Sequence, residues 1–141
     1  MQPAKTAKGM FQIVLSPSDQ KKILPLAIYP NKYSHHVTCA FKAYEDHPYW
    51  KTQLGKEVTV VGTRLYDDGS ATALSISIGA PGNISAEESE MSSHIENHHP
   101  HVTLSCMPGT SPVHSNSMIG HAVTEKVSIH YMKGVVIFKP F

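Results

Sequence analysis

Apolar, β-branched residues gather first at Phe11 to Leu15 (FQIVL), and Ser16-Pro17 directly after them supplies an N-cap serine with proline at the first helical position. A strand leading into a short helix is therefore predicted. That helix carries Lys21, Lys22, Ile23 and Leu24 and must stop near Pro25, whose ring removes a backbone donor and clashes with the preceding turn. A turn at Pro30-Asn31 precedes a strand through His36-Val37-Thr38-Cys39-Ala40-Phe41. Polar and apolar residues alternate from Val58 to Tyr66 and again from Ala71 to Ile78, with Asp68-Gly69 between them, which predicts a hairpin. Residues 79–97 are polar and rich in Gly, Ser and Glu. They are expected to form a mobile connection in which Ser85, with Glu88 three positions on, caps a short helix. A strand at His101 to Cys106 follows, then a loop from Met107 to Asn116 and two closing strands, near Lys126 to Tyr131 and Val135 to Phe138, joined at Lys133-Gly134. The expected fold class is α+β with strands dominant.

Two of these strands begin with nearly the same tetrapeptide, His36-Val37-Thr38-Cys39 and His101-Val102-Thr103-Leu104, offset by 65 positions. Each follows a strand and a capped helix, so the unit strand, helix, HVT-strand occurs twice, and two pseudo-symmetric halves are expected. Side chains alternate along a strand, which puts His36, Thr38 and Ala40 on one face and Val37, Cys39 and Phe41 on the other. The second strand sorts the same way, with His101, Thr103 and Ser105 opposed to Val102, Leu104 and Cys106. One face of each strand suits a core. The other presents an imidazole and a hydroxyl, spaced by two residues, or roughly 6.6 Å.

If the halves turn these faces together, two imidazoles and two hydroxyls surround one cleft. Cleaving a phosphodiester needs a base for the attacking oxygen and an acid for the departing one, and histidine serves either role near neutral pH. The threonine hydroxyls can donate to the non-bridging oxygens as charge builds on them. His36 and His101 are the candidate catalytic pair, Thr38 and Thr103 the candidate phosphate ligands, and a bell-shaped rate profile around neutrality is expected.

The chain has 141 residues, room for one domain over 1–141, of which 1–10 are expected to be flexible. A net charge of +1 with neutral histidines argues against broad attraction to duplex nucleic acid or to a membrane. No apolar run approaches a bilayer span, and the N-terminal stretch lacks the apolar core of a secretory signal, so a soluble, cytoplasmic protein is expected. Cys39 and Cys106 form no CxxC pair and are read as free, buried thiols.

The paired HVT strands resemble those of the two-histidine (2H) phosphoesterase superfamily, the LigT-like group of cyclic phosphodiesterases and RNA-ligase-like proteins, whose mark is a pair of H-x-[ST]-x motifs on strands. The matching residues are His36, Thr38, His101 and Thr103. The resemblance implies a compact, bilobal, pseudo-two-fold fold of antiparallel sheets and short helices with the HxT strands facing a central cleft. It also implies metal-independent cleavage, with no cofactor, of a cyclic phosphate or a short or cyclic oligonucleotide. Partners would be a nucleotide, a cyclic nucleotide or an RNA end, with no membrane and no obligate protein partner. A non-catalytic module that sequesters a nucleotide in the same cleft is the alternative.

Outside the motifs, Ser105 shares the strand face of His101, and the loop Gly109 to Asn116 offers Ser115 and Asn116 as substrate contacts. Tyr33 can stack on a base or serve as packing. Arg64 and Lys42 are read as solvated charges, and His35, His47, His121 and His130 as structural or surface residues. The stretch His94-x-x-x-His98-His99-Pro100-His101 has metal-ligating residue types but no cysteine or carboxylate set to complete a site, so no metal is assigned.

Overall fold

A computed structural model describes residues 8–119, 121 and 124–141. The strands are β1 (Lys8–Leu15), β2 (Asn31–Lys32), β3 (His36–Tyr44), β4 (Glu57–Asp67), β5 (Ala71–Ile78), β6 (His101–Cys106) and β7 (Thr124–Pro140). The helices are α1 (Pro17–Ile23), α2 (Ala86–His94) and α3 (Ser115–Met118). All pairings are antiparallel in the order β2-β6-β3-β1-β7-β4-β5, and a further β6–β5 pairing closes six of the strands into a barrel. Exchanging β1 with β5, β3 with β6 and β4 with β7 maps this ring of pairings onto itself.

The local signals act where they stand in the chain. Ser16 caps α1 by accepting from the Asp19 N–H, with Pro17 at the first helical position. Ser85 and Glu88 form a reciprocal capping box on α2, which extends the expected short helix to nine residues. At the β4–β5 turn, Asp68 Oδ1 accepts from the Ser70 and Ala71 N–H groups, and Gly69 adopts a φ of +88° that favours glycine. The expected flexibility of residues 1–7 lies outside the described residues, whereas 8–10 belong to β1.

The closing strands differ from expectation. Lys133-Gly134 is no turn: β7 runs unbroken for 17 residues, pairing with β1 along one edge and β4 along the other. A Cβ on Gly134 would sit 2.6 Å from Ile13 Cγ2 and 2.9 Å from the Val14 carbonyl oxygen, so glycine is needed there for close strand approach.

The register also explains which faces are buried. Ile13 pairs with Val37 and Val136, Val37 with Val102, and Val102 with Leu74, so one apolar face continues round the ring. On β7 the opposite face, including Val127, Ile129 and Tyr131, is exposed, so the apolar face points into the barrel. Trp50, Ile23, Met91 and Ile95 join this core from the connecting segments.

The strict alternation expected of both motif strands fails one residue beyond each threonine. Thr38 pairs with Gln12 and Ala40 with Phe11, leaving Cys39 as the extra residue of a β-bulge. Thr103 pairs with Ala73 and Ser105 with Thr72, leaving Leu104 extra at the same motif position. Beyond the bulges the faces exchange. Ala40 is buried in the core while Phe41 is half exposed, and Ser105 turns inward while Cys106 joins a second apolar cluster with Met118 and Ile119.

Candidate active site

A cavity of about 480 Å³ opens on the polar face of β3 and β6, and His36, Thr38, His101 and Thr103 all line it. Tyr33 and Asn116 line it as well, as do Pro112 and Val113 of the loop after β6. The cavity forms because Val37, at the centre of one motif, pairs with Val102 at the centre of the other. Both valines are buried in the core, which leaves the flanking histidines and threonines for the opposite face.

On the β3 side, His35 belongs to the cavity too, contrary to its reading as a structural or surface residue. The Ser34 N–H donates to the Thr103 carbonyl, yet Val37 already pairs with Val102, so His35 and His36 are both extra relative to β6. Ser34 takes a φ of 55° to enter this deviation. The result is a contact of 3.1 Å between His35 Nδ1 and His36 Nδ1, in which one ring donates and the other accepts. Burial, with the neighbouring charges of His35, Lys139 and His101, pulls the His36 pKa down to about 4. His36 is therefore neutral near pH 7. Thr38 Oγ1 has a sulfur neighbour, Met10 Sδ, at 3.8 Å.

On the β6 side the polar groups are tightly engaged. His101 Nδ1 donates to the His99 carbonyl at 2.7 Å, which fixes the ring and leaves Nε2 directed at Ser115 Oγ, 3.0 Å away. Thr103 Oγ1 lies 2.6 Å from the same Ser115 oxygen, and Ser115 donates to the Pro112 carbonyl at 2.8 Å. Burial lowers the His101 pKa, opposed by the hydrogen bond to His99, which favours the imidazolium, while the charge of His99 lowers it further. His101 is 8% exposed and Ser115 is fully buried. The strap that carries Ser115 is pinned by the contact of His114 Nε2 with Asp68 Oδ2 and by Asn97 Nδ2 donating to Asn116 Oδ1 at 3.2 Å.

Ser105 is not brought to the cavity. The bulge at Leu104 turns it inward, where its hydroxyl meets Thr72 Oγ1 and accepts from the Tyr29 N–H. Ser115 lies behind His101 and Thr103 instead of in the cavity wall. Arg64 forms an exposed ion pair with Glu125, and Lys42 sits over the Phe41 ring. His47 Nδ1 accepts from the Tyr49 and Trp50 N–H groups, and His94 stacks on Tyr49. His130 Nε2 meets Ser128 Oγ. Among the described residues no group of three or more His, Cys, Asp or Glu side chains is arranged to hold a metal ion, so the histidines of 94–101 do not converge.

Sequence reasoning missed Met10, His35, Cys39, Phe41, Glu96 and Asn97 as cavity residues. Phe41 reaches the cavity only through the bulge at Cys39, and the Phe41 N–H is held by Glu96 Oε1 at 2.9 Å. Adjacency to the motif was the one available signal for His35. Comparison of the chain with protein-family models and with curated proteins finds no match.

Proposed function

We propose that the protein is a metal-independent phosphodiesterase of the two-histidine kind, acting on a cyclic phosphate or on a short or cyclic oligonucleotide. The observation that carries this reading is the meeting of His36, Thr38, His101 and Thr103 in the walls of one cavity. Two imidazoles there can move two protons, and two hydroxyls can donate to the phosphate oxygens. Among the described residues lining the cavity there is no lysine or arginine, and the nearby cation is Lys139, whose charge acts on His36.

In hydrolysis, water attacks phosphorus as one histidine takes its proton. The new P–O bond forms, the ester P–O bond breaks, and the other histidine protonates the departing oxygen. The two histidines end with their proton exchanged and no net change in charge. A bilobal, pseudo-two-fold arrangement and a cytoplasmic site of action belong to the same proposal. The repeated bulge after each HVT motif and the exchangeable ring of strands support the two-fold relation.

The test is a screen of cyclic mononucleotides, cyclic oligonucleotides and RNA 2′,3′-cyclic ends in excess chelator, with products identified by mass. Cleavage that persists in chelator is expected. Strict dependence on an added divalent ion would overturn the mechanism, and tight binding without turnover would make the protein a sequestering module.

A further inference from the structure

Ser115 has one proton and three polar neighbours. The Pro112 carbonyl can only accept, so it takes the serine proton at 2.8 Å. Ser115 Oγ is then an acceptor toward both His101 Nε2 at 3.0 Å and Thr103 Oγ1 at 2.6 Å. The His99 carbonyl likewise can only accept, so His101 Nδ1 carries a proton as well. All four contacts are satisfied together only when both nitrogens of His101 are protonated. With a neutral ring, Nε2 and the Pro112 carbonyl compete for one serine proton, and although the carbonyl also takes the Ser115 N–H, one of the two side-chain contacts loses its hydrogen.

We propose that Ser115 is a positioning residue that holds His101 as the proton-bearing member of the pair, making His101 the general acid and His36 the general base. This assignment rests on the two-histidine reading above. When the departing oxygen arrives, it takes the Nε2 proton in place of Ser115, whose hydroxyl keeps Pro112 as acceptor, and Thr103 turns its one proton from Ser115 to the phosphate. Ser115 is not itself a nucleophile, because it is fully buried behind the cavity wall. The other titratable groups facing His101 are His36, His35 and Glu96 across the cavity, His99 two residues before it, and the His114–Asp68 pair beside Ser115. None of them contacts Nε2 in place of the serine.

The experiment is an NMR titration of isotope-labelled histidines in wild type, Ser115→Ala and Ser115→Cys, paired with pH–rate profiles on an alkyl ester and on a p-nitrophenyl phosphodiester. In Ser115→Ala the pKa of His101 should fall by about one unit, while that of His36 stays put. The basic limb of kcat/KM should move to lower pH, and alkyl-ester cleavage should drop by about 10- to 100-fold. Cleavage of the p-nitrophenyl ester, whose leaving group needs no proton, should be nearly unaffected. Should Ser115→Ala fail to fold, the near-isosteric Cys variant carries the same comparison, with a smaller shift in the same direction. An unmoved His101 titration in a folded variant, an equal loss with both leaving groups, or faster turnover would overturn the proposal. The titration is read without substrate, so an inactive wild type would refute the two-histidine reading and still decide whether Ser115 governs His101.

Discussion

The His36 strand and the His101 strand begin with the same tripeptide, bulge at the same following position and pair with each other, yet their polar sides are finished differently. On β6 the serine of a pinned strap joins His101 and Thr103 in one network, and the imidazole is bonded at both nitrogens. On β3 the threonine has a thioether for company and the histidine shares a single contact with another imidazole. Repetition of a motif thus fixes where its side chains stand, while the surrounding loops fix which hydrogen bonds each one makes. The β6 half is organised before any ligand arrives. The β3 half has hydrogen-bonding capacity left for a ligand.

The largest effect is expected at the histidines. His36→Ala and His101→Ala should each lower the catalytic rate by about 10²–10⁴-fold, since a general acid or base contributes on that scale. Both variants should stay folded, and a single-turnover assay with a melting curve checks both points. Near-wild-type turnover in either one would end the pairing.

The two threonines differ in what their loss removes. Thr38→Val and Thr103→Val keep the β-branched shape, and each should lose roughly 10- to 150-fold in kcat/KM if its hydroxyl donates one charge-assisted bond to phosphate. Only Thr103→Val also removes a neighbour of the buried Ser115, so its melting temperature should fall while that of Thr38→Val does not. Two equal melting curves would show that the Ser115 network contributes nothing to stability.

A smaller effect, about tenfold per pH unit on each limb, lies in the pH profile. A base must be neutral, so activity should rise as pH climbs through the His36 pKa of about 4. An acid must be protonated, so activity should fall as pH passes the His101 pKa, which burial holds below the ordinary 6.5. The optimum of kcat/KM should therefore sit on the acid side of neutrality, shifted from the neutral bell that ordinary imidazoles would give. A plateau extending from neutrality to pH 9, with chemistry rate-limiting, would contradict the assignment.

Much of the site was legible because its signals are local. Period-two alternation puts His36 with Thr38 and His101 with Thr103 without knowledge of any partner strand, and both capping motifs lie within four residues of sequence. What escaped depends on distant residues. The bulges at Cys39 and Leu104 are defined by how Gln12, Phe11, Thr72 and Ala73 pair across the sheet, so Phe41 and Ser105 could not be assigned a face from their own strands. Gly134 looked like a turn residue because the strand that forbids its side chain, near Ile13 and Val14, lies at the other end of the described chain. The Ser115 network needed the strap to dock before its three partners could meet.

The pairing of β1 with β7 has a consequence for how the protein reaches this state. Met10 meets Lys139 and Leu15 meets Gly134, contacts that join strands more than a hundred residues apart in sequence. During synthesis β1 can pair with β3 early, but its other edge waits for Thr124–Pro140, and the ring stays open until that last strand is in hand. Loop-closure entropy delays such long-range pairing, so the nascent chain spends that interval with an unpaired, apolar strand edge, which invites association with other chains.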